Sequence, residues 1–198
     1  MAKKVIIIGT GGHGKTVAEI VRLCGDRVLG YLDDNKTGKF NDCEILGTSD
    51  DIGKFDAYYF AAVGDNYARQ RMMEKPVKWY CAIHPSAVVS ADSVIGEGVA
   101  LMANAVVGVG STVGRGTIVN TAASVDHDNS IGAFVHVSPG AHLAGTVTVG
   151  DFTWIGSCAC VINNLDICGD VIVGAGGVVL ESIREPGTYV GVPVRKIK

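Results

Sequence analysis

The segment Val125-Asp126-His127-Asp128-Asn129 sets an imidazole between two carboxylates in a stretch that is otherwise aliphatic. A neutral imidazole beside a carboxylate is what a general base needs. The acid orients the ring and raises its basicity, for a rate gain of about 10²–10⁴. His127 is the residue so placed, with Asp126 and Asp128 as its neighbouring acids. Four other histidines are present. His13 sits in a glycine-rich loop, His84 precedes Pro85, and His136 and His142 follow His127 closely. Core or surface packing is the plain alternative for His136, and His142 reads as a surface residue.

The second candidate is the loop Gly9-Thr10-Gly11-Gly12-His13-Gly14-Lys15-Thr16. It satisfies two phosphate-binding patterns at once: Gly9-x-Gly11-x-x-Gly14 of dinucleotide folds, and Gly9-x4-Gly14-Lys15-Thr16 of P-loop NTPases. Only about 80 residues surround it before the chain changes character. That is too few for an NTPase sheet with its magnesium-binding acid, or for both halves of a dinucleotide fold. What the two patterns share remains: backbone N–H groups at a helix N-terminus holding a phosphate-bearing ligand. Asp33, 19 residues beyond Gly14, stands where a carboxylate commonly meets a ribose or sugar hydroxyl. A tight strand–helix turn without a ligand is the other reading of this loop.

The elements that must position these groups follow from periodicity. From Ile83, every sixth residue is a branched aliphatic through Val179, seventeen hexads in one unbroken register. Glycine often follows the aliphatic (Gly96, Gly108, Gly114, Gly132, Gly150), and a small residue often stands four beyond it (Ala105, Ser111, Thr117, Ala123, Ala141). A short strand followed by a corner has this period, with the aliphatic inward and glycine easing the corner. Three hexads make one triangular coil of 18 residues, so this region predicts between five and six coils. His127 is third in its hexad, outside the inward positions, and is expected to face a cleft or solvent.

The N-terminal part reads differently. Lys3–Ile8 is a buried strand, followed by the glycine loop and a helix to about Leu23. Arg27–Leu32 is a second strand ending in Asp33-Asp34, and residues 57–63 are a third ending in Gly64-Asp65-Asn66. A helix through Arg69 to Glu74 leads to a last short strand near residues 77–80. Alternating strands and helices predict a small parallel, Rossmann-like sheet, with ligands at the strand C-termini. The boundary falls between a domain of residues 1–80 and one of residues 81–198.

The hexads resemble those of the hexapeptide-repeat acyltransferases. The motifs Gly11-Gly12-His13-Gly14, Tyr31-Leu32-Asp33-Asp34 and Val63-Gly64-Asp65-Asn66-x-x-Arg69 resemble the sugar-nucleotide domain of the bacillosamine and perosamine N-acetyltransferases and their sialic acid O-acetyltransferase relatives. That resemblance implies a left-handed parallel β-helix, a homotrimer, and acetyl transfer from acetyl-CoA to the 4-amino group of a UDP-linked 4-amino-4,6-dideoxy sugar. It implies that Gly11, Gly12, His13, Asp33 and Asp34 contact the nucleotide-sugar, with Gly64, Asn66 and Arg69 close by and Asn120 lining the cleft. It assigns His127 as the base, with Asp128 where many relatives have a glutamate. His136, Gly145, Ser157 and Ala175 would lie along acetyl-CoA, and the basic tail Val190–Lys196 would suit its phosphates. O-acetylation of a sialic-acid-like sugar, or a non-catalytic sugar-nucleotide scaffold, are the alternatives. Carbonic anhydrases built on the same coil bind zinc through three histidines, two of them five residues apart. Spacings of nine and six here do not reproduce that convergence, and no metal is expected.

Composition sets the outer bounds. The net charge of −3 leaves no basic footprint for nucleic acid. No apolar run reaches the roughly 18 residues of a membrane span. The short apolar stretch after Lys3-Lys4 lacks a signal-peptide core and cleavage site. The six cysteines show no C-x-x-C spacing and are expected as reduced thiols in a cytoplasm.

Overall fold

The period of six becomes one two-residue strand per hexad in the computed structural model, which describes residues 2–198. Each strand pairs in parallel with the strand 18 residues on, as Val107 does with Val125 and Val125 with Leu143. The strands therefore stack into three flat sheets, the faces of a triangular parallel β-helix. Backbone bonds run from coil to coil, such as Ser124 N–H to the Ala141 carbonyl at 3.0 Å. A polar group left unpaired inside would be costly, and this ladder pairs them.

We call the face carrying Ala100–Leu101, Ile118–Val119, His136–Val137 and Trp154–Ile155 the docked face. The second face carries Ser124–Val125, His142–Leu143 and Cys160–Val161, and the third carries Ser130–Ile131 and Thr148–Val149. Fourteen of the seventeen periodic aliphatics, Leu101 to Val179, are buried along the axis. Ile83, Val89 and Ile95 are only partly covered, because the first coil has no layer beneath it. Corners require left-handed backbone, which costs a non-glycine residue roughly 1–2 kcal/mol. Asp128 (φ 56°), Phe134 (55°) and Phe152 (61°) nonetheless occupy it, and each side chain has a use described below.

The N-terminal sheet is built from β1 (Lys4–Ile8), β2 (Arg27–Leu32), β3 (Lys39–Phe40), β4 (Cys43–Gly47) and β5 (Tyr58–Ala61), in the order β3-β4-β2-β1-β5. All pairings are parallel except the β3–β4 hairpin. Helix α1 (Gly12–Leu23) follows the glycine loop, and α2 (Asn66–Met73) starts from an Asp65 cap whose carboxylate accepts the Ala68 N–H. Two details correct the sequence reading. The segment near residues 77–80 forms no strand, only a single bridge from Trp79 to Tyr59. The β3–β4 hairpin was not anticipated. Its turn signal was Asn41-Asp42, both left-handed, but a two-residue arm is too short to show alternation.

The two parts share one core. Val5, Val17, Val21, Tyr31 and Phe60 pack against Ala82, Ala100, Met102 and Ile118 of the docked face. At the corner between the third and docked faces, Tyr67 of α2 stacks on Phe152 (4.6 Å between centroids), and Phe152 on Phe134 (5.6 Å). This explains two of the left-handed corner residues: they present rings to α2.

Candidate active site

His127 stands at the corner between the second and third faces, half exposed (side chain 51%), with its Nδ1 2.9 Å from Asp128 Oδ2. Its own N–H donates to Asp126 Oδ1 at 2.8 Å. The hydrogen bond to Asp128 raises the imidazole pKa; desolvation opposes it, and the Asp126 and Asp128 charges add to the rise. The left-handed backbone at Asp128 is what folds its carboxylate back onto the preceding ring. One coil on, Gly145 lies buried beneath His127. A Cβ at 145 would collide with the Cε1 and Nε2 atoms of the imidazole. Gly145 therefore lets the imidazole Nε2 rest against backbone. Its carbonyl accepts from Asn164, while its N–H has no acceptor among the described residues.

Asn129 was not singled out by sequence reasoning. It is buried, and its Nδ2 donates to the carbonyls of Asp126 (2.7 Å) and His127 (3.4 Å). Its Oδ1 accepts Val147 N–H from the next coil at 2.8 Å. It thus braces the turn that carries His127. A buried asparagine at a position that is usually small or aliphatic was the available signal.

His136 lies elsewhere, on the docked face. Its ring stacks on Trp154, one coil on, with centroids 5.6 Å apart and planes 11° apart. Trp154 in turn donates from Nε1 to Ser138 Oγ at 2.7 Å. Asn120 Oδ1 accepts Thr121 N–H, which fixes the amide so that Nδ2 donates to His136 Nε2 at 3.0 Å. Burial, helped by the charges of Arg69 and His13, lowers the His136 pKa to about 4. The ring is neutral near pH 7, and with Nε2 accepting, its proton sits on Nδ1, which is buried without a partner. Ser157 and Ala175 are exposed at the neighbouring corner between the docked and second faces, the same corner as Asn120.

The glycine loop lies at the C-terminal edge of the sheet. Gly11 caps α1 without any side-chain bond, and a Cβ at Gly11, Gly12 or Gly64 would meet nothing within 4 Å. That leaves open backbone at a helix N-terminus, the surface an anion uses. Gly14 by contrast packs against the Gly9 carbonyl. The His13 ring is largely buried against Phe60 (6.1 Å, edge-on), with Nε2 unpartnered. Burial and then the Arg69 charge bring its pKa to about 4. Asp33 accepts from Thr10 N–H (2.9 Å), the Thr10 hydroxyl and Asn35 N–H (2.9 Å). Burial pushes its carboxyl up, but these bonds outweigh it and hold Asp33 below the usual range. Asp34 accepts from Ser49 N–H and Oγ. Both acids therefore also hold loops in place. Pockets of about 230 and 210 Å³ open beside them.

Asn66 and Arg69, expected near the sugar nucleotide, are instead buried in the joint between the two domains. Arg69 is 0% exposed and spends its donors on protein carbonyls. Asn66 Nδ2 donates to Phe152 O at 2.9 Å and its Oδ1 accepts from Arg69 Nη2 at 2.7 Å. Neither side chain has a donor free for a ligand. The three histidines 127, 136 and 142 point from a corner, the docked face and the second face respectively; His142 bonds to Ser124 Oγ at 2.8 Å. No group of three His, Cys, Asp or Glu converges among the described residues. Likewise, no described helix is long and apolar enough to cross a membrane.

The geometry thus sorts the candidate residues into a candidate base corner (His127, Asp128, Gly145) and a pair at the docked face (His136, Asn120), with His13 of the glycine loop near enough to act on His136. Known proteins resemble the chain over its whole length. Residues 4–76 match the PglD N-terminal domain. A curated UDP-N-acetylbacillosamine N-acetyltransferase of Bacillus subtilis is 37% identical over 112 residues, covering 51% of this chain and 52% of that protein. The chain spans about half or less of the length of the curated relatives it matches. Among solved structures, the acetyltransferase domain of PglB from Neisseria gonorrhoeae, in complex with acetyl coenzyme A, is 38% identical with a TM-score of 0.95, over 100% of both chains. PerB from Caulobacter crescentus, in complex with CoA and GDP-perosamine, is 37% identical with a TM-score of 0.92, over 98% of this chain and 97% of that one. Likeness of this degree extends over both domains and the joint between them, and the chain belongs to the hexapeptide-repeat nucleotide-amino-sugar N-acetyltransferases.

Proposed function

We propose that this chain, as a homotrimer, transfers the acetyl group of acetyl-CoA to the 4-amino group of a nucleotide-linked amino sugar of the UDP-4-amino-4,6-dideoxy type, with His127 as general base. One observation carries the reading. The base corner is the one corner of the prism that does not border the docked face, where the glycine loop and His136 lie. A base and an acceptor site on opposite sides of one prism can meet only when a second copy brings its His127 to the cleft. Gly145 and Ala175, at different corners, would then line acetyl-CoA from two subunits. The relatives that bind acetyl coenzyme A and GDP-perosamine support the substrate classes.

In this reading the free amine attacks the thioester carbonyl, and the Gly145 N–H stabilises the developing oxyanion. His127 Nε2 takes the amine proton and returns it to the departing CoA sulfur, while Asp128 stabilises the imidazolium. His136, neutral near pH 7, sits beside Asn120 without adding charge. A cleft of about 340 Å³ at the end of the coil, lined by Arg184 and Arg195, suits the CoA phosphates; Lys196 there is paired with Glu185 at 3.0 Å. The test is thiol release from acetyl-CoA against a panel of UDP- and GDP-linked 4-amino sugars. Turnover of one of them is expected, and no turnover of any would overturn the assignment. A monomer by light scattering at micromolar concentration that is fully active would overturn the shared site.

A further inference from the structure

Arg69 is fully buried, and no carboxylate touches it. Its Nε donates to the Gly116 carbonyl, Nη1 to those of Val63 (2.9 Å) and Gly64 (3.1 Å), and Nη2 to those of Phe134 (3.2 Å) and Val135 (3.4 Å) as well as to Asn66. Val63 and Gly64 form the loop after β5, at the ligand edge of the sheet. Val135 directly precedes His136. A single guanidinium thus joins the sugar-nucleotide edge of one domain to the strand of the other that carries a cleft histidine. Burial draws its pKa down to about 10, so it stays a cation at neutral pH. A buried cation whose one compensating charge, Asp65, does not touch it is costly, and packing alone could close this joint with apolar residues; the Tyr67–Phe152–Phe134 stack does so at the rim. The charge reaches further, since it helps keep both His13 and His136 unprotonated.

Building on the acetyltransferase reading, we propose that Arg69 is a positioning residue: it fixes the angle and spacing between the sugar-nucleotide edge and the His136 strand, and so sets where the acceptor amine lies relative to the acyl donor. Displacements of about 1 Å remote from the chemistry are enough to cost of the order of a hundredfold in rate. A residue that only stabilised the fold would lower the melting temperature without changing the kinetics of the folded enzyme.

The test uses the full-length protein with Arg69→Gln, Arg69→Lys and Asn66→Ala. For Arg69→Gln we expect kcat to fall by about tenfold to a hundredfold, with KM for acetyl-CoA within about twofold of wild type. Imidazole NMR should show the His13 and His136 titrations moving up. Arg69→Lys keeps the charge but not the fork of donors, so its titrations should stay low while kcat still falls. Arg69→Gln with wild-type kcat and unmoved titrations would overturn the proposal. If Arg69→Gln does not fold, Asn66→Ala decides. It removes the bonds to Phe152 and Thr153 and leaves the cation, and wild-type kcat in this variant would equally overturn the proposal. If the wild type acetylates no amino sugar, the functional reading fails on that result alone, and the NMR arm still decides whether Arg69 sets the surroundings of both histidines.

Discussion

His127 and His136 are nine residues apart on one coil, yet they sit in opposite electrostatic settings. His127 is at a corner in reach of solvent, with two carboxylates around it, and its pKa is raised. His136 is on a flat face under another domain, stacked on Trp154, and its pKa is lowered to about 4. The same repeat offers both settings because a corner residue points away from the axis with its neighbours free to turn, whereas a residue on a face inherits whatever packs against that face. His127 gains a proton more readily, whereas His136 stays neutral near pH 7 with its Nε2 accepting from Asn120. A single side chain could not do both near pH 7.

Four variants would break or sharpen that contrast. The largest effect is expected from His127→Ala, which should fold and assemble normally yet lose about 10²–10⁴ in kcat. A variant retaining more than about a third of wild-type kcat would remove His127 from the role of base. Gly145→Ala tests the contact beneath the ring. Its Cβ must push the half-exposed imidazole aside, which costs the fold little but should reduce kcat by about tenfold to a hundredfold; an unchanged kcat in steady-state assays would show that the resting position of the ring does not matter.

Asp33→Ala tests the other side of the molecule. A lost charge-assisted hydrogen bond is worth about 1.5–3 kcal/mol, so KM for the nucleotide-sugar should rise by about tenfold to a hundredfold, with KM for acetyl-CoA barely moved. Equal rises for both would assign Asp33 to holding Thr10 and the loop alone. The smallest effect belongs to Asp128→Asn. The base works unprotonated, so kcat/KM should fall below a pKa that lies above the ordinary imidazole value of about 6.5. Removing the acid that raises that pKa should move the acidic limb to lower pH, with a severalfold lower plateau. A limb that does not move would mean that Asp128 leaves the basicity of His127 unchanged.

Much of the molecule is legible in the chain itself. An inward aliphatic every sixth residue admits one solution, since only a corner after each short strand keeps seventeen of them on one axis. The polar break Asp126-His127-Asp128 marks the proposed base, because carboxylates at a corner act through local sequence. The glycine loop marks the proposed anion-binding edge for the same reason: it is contiguous. Contacts between distant segments were not legible. Asn66 and Arg69 carry polar side chains suited to a ligand, and nothing in their own neighbourhood says that most of the carbonyls they meet lie 47 to 87 residues away. The lowered pKa values of His13 and His136 depend on that joint, because burial exists only once two domains close over a side chain. Sequence thus determined the repeat and pointed to the candidate base and the candidate phosphate edge, each written within one or two hexads or a single turn. Tertiary structure alone decided which polar groups are left for a substrate and which are consumed in holding the two domains together.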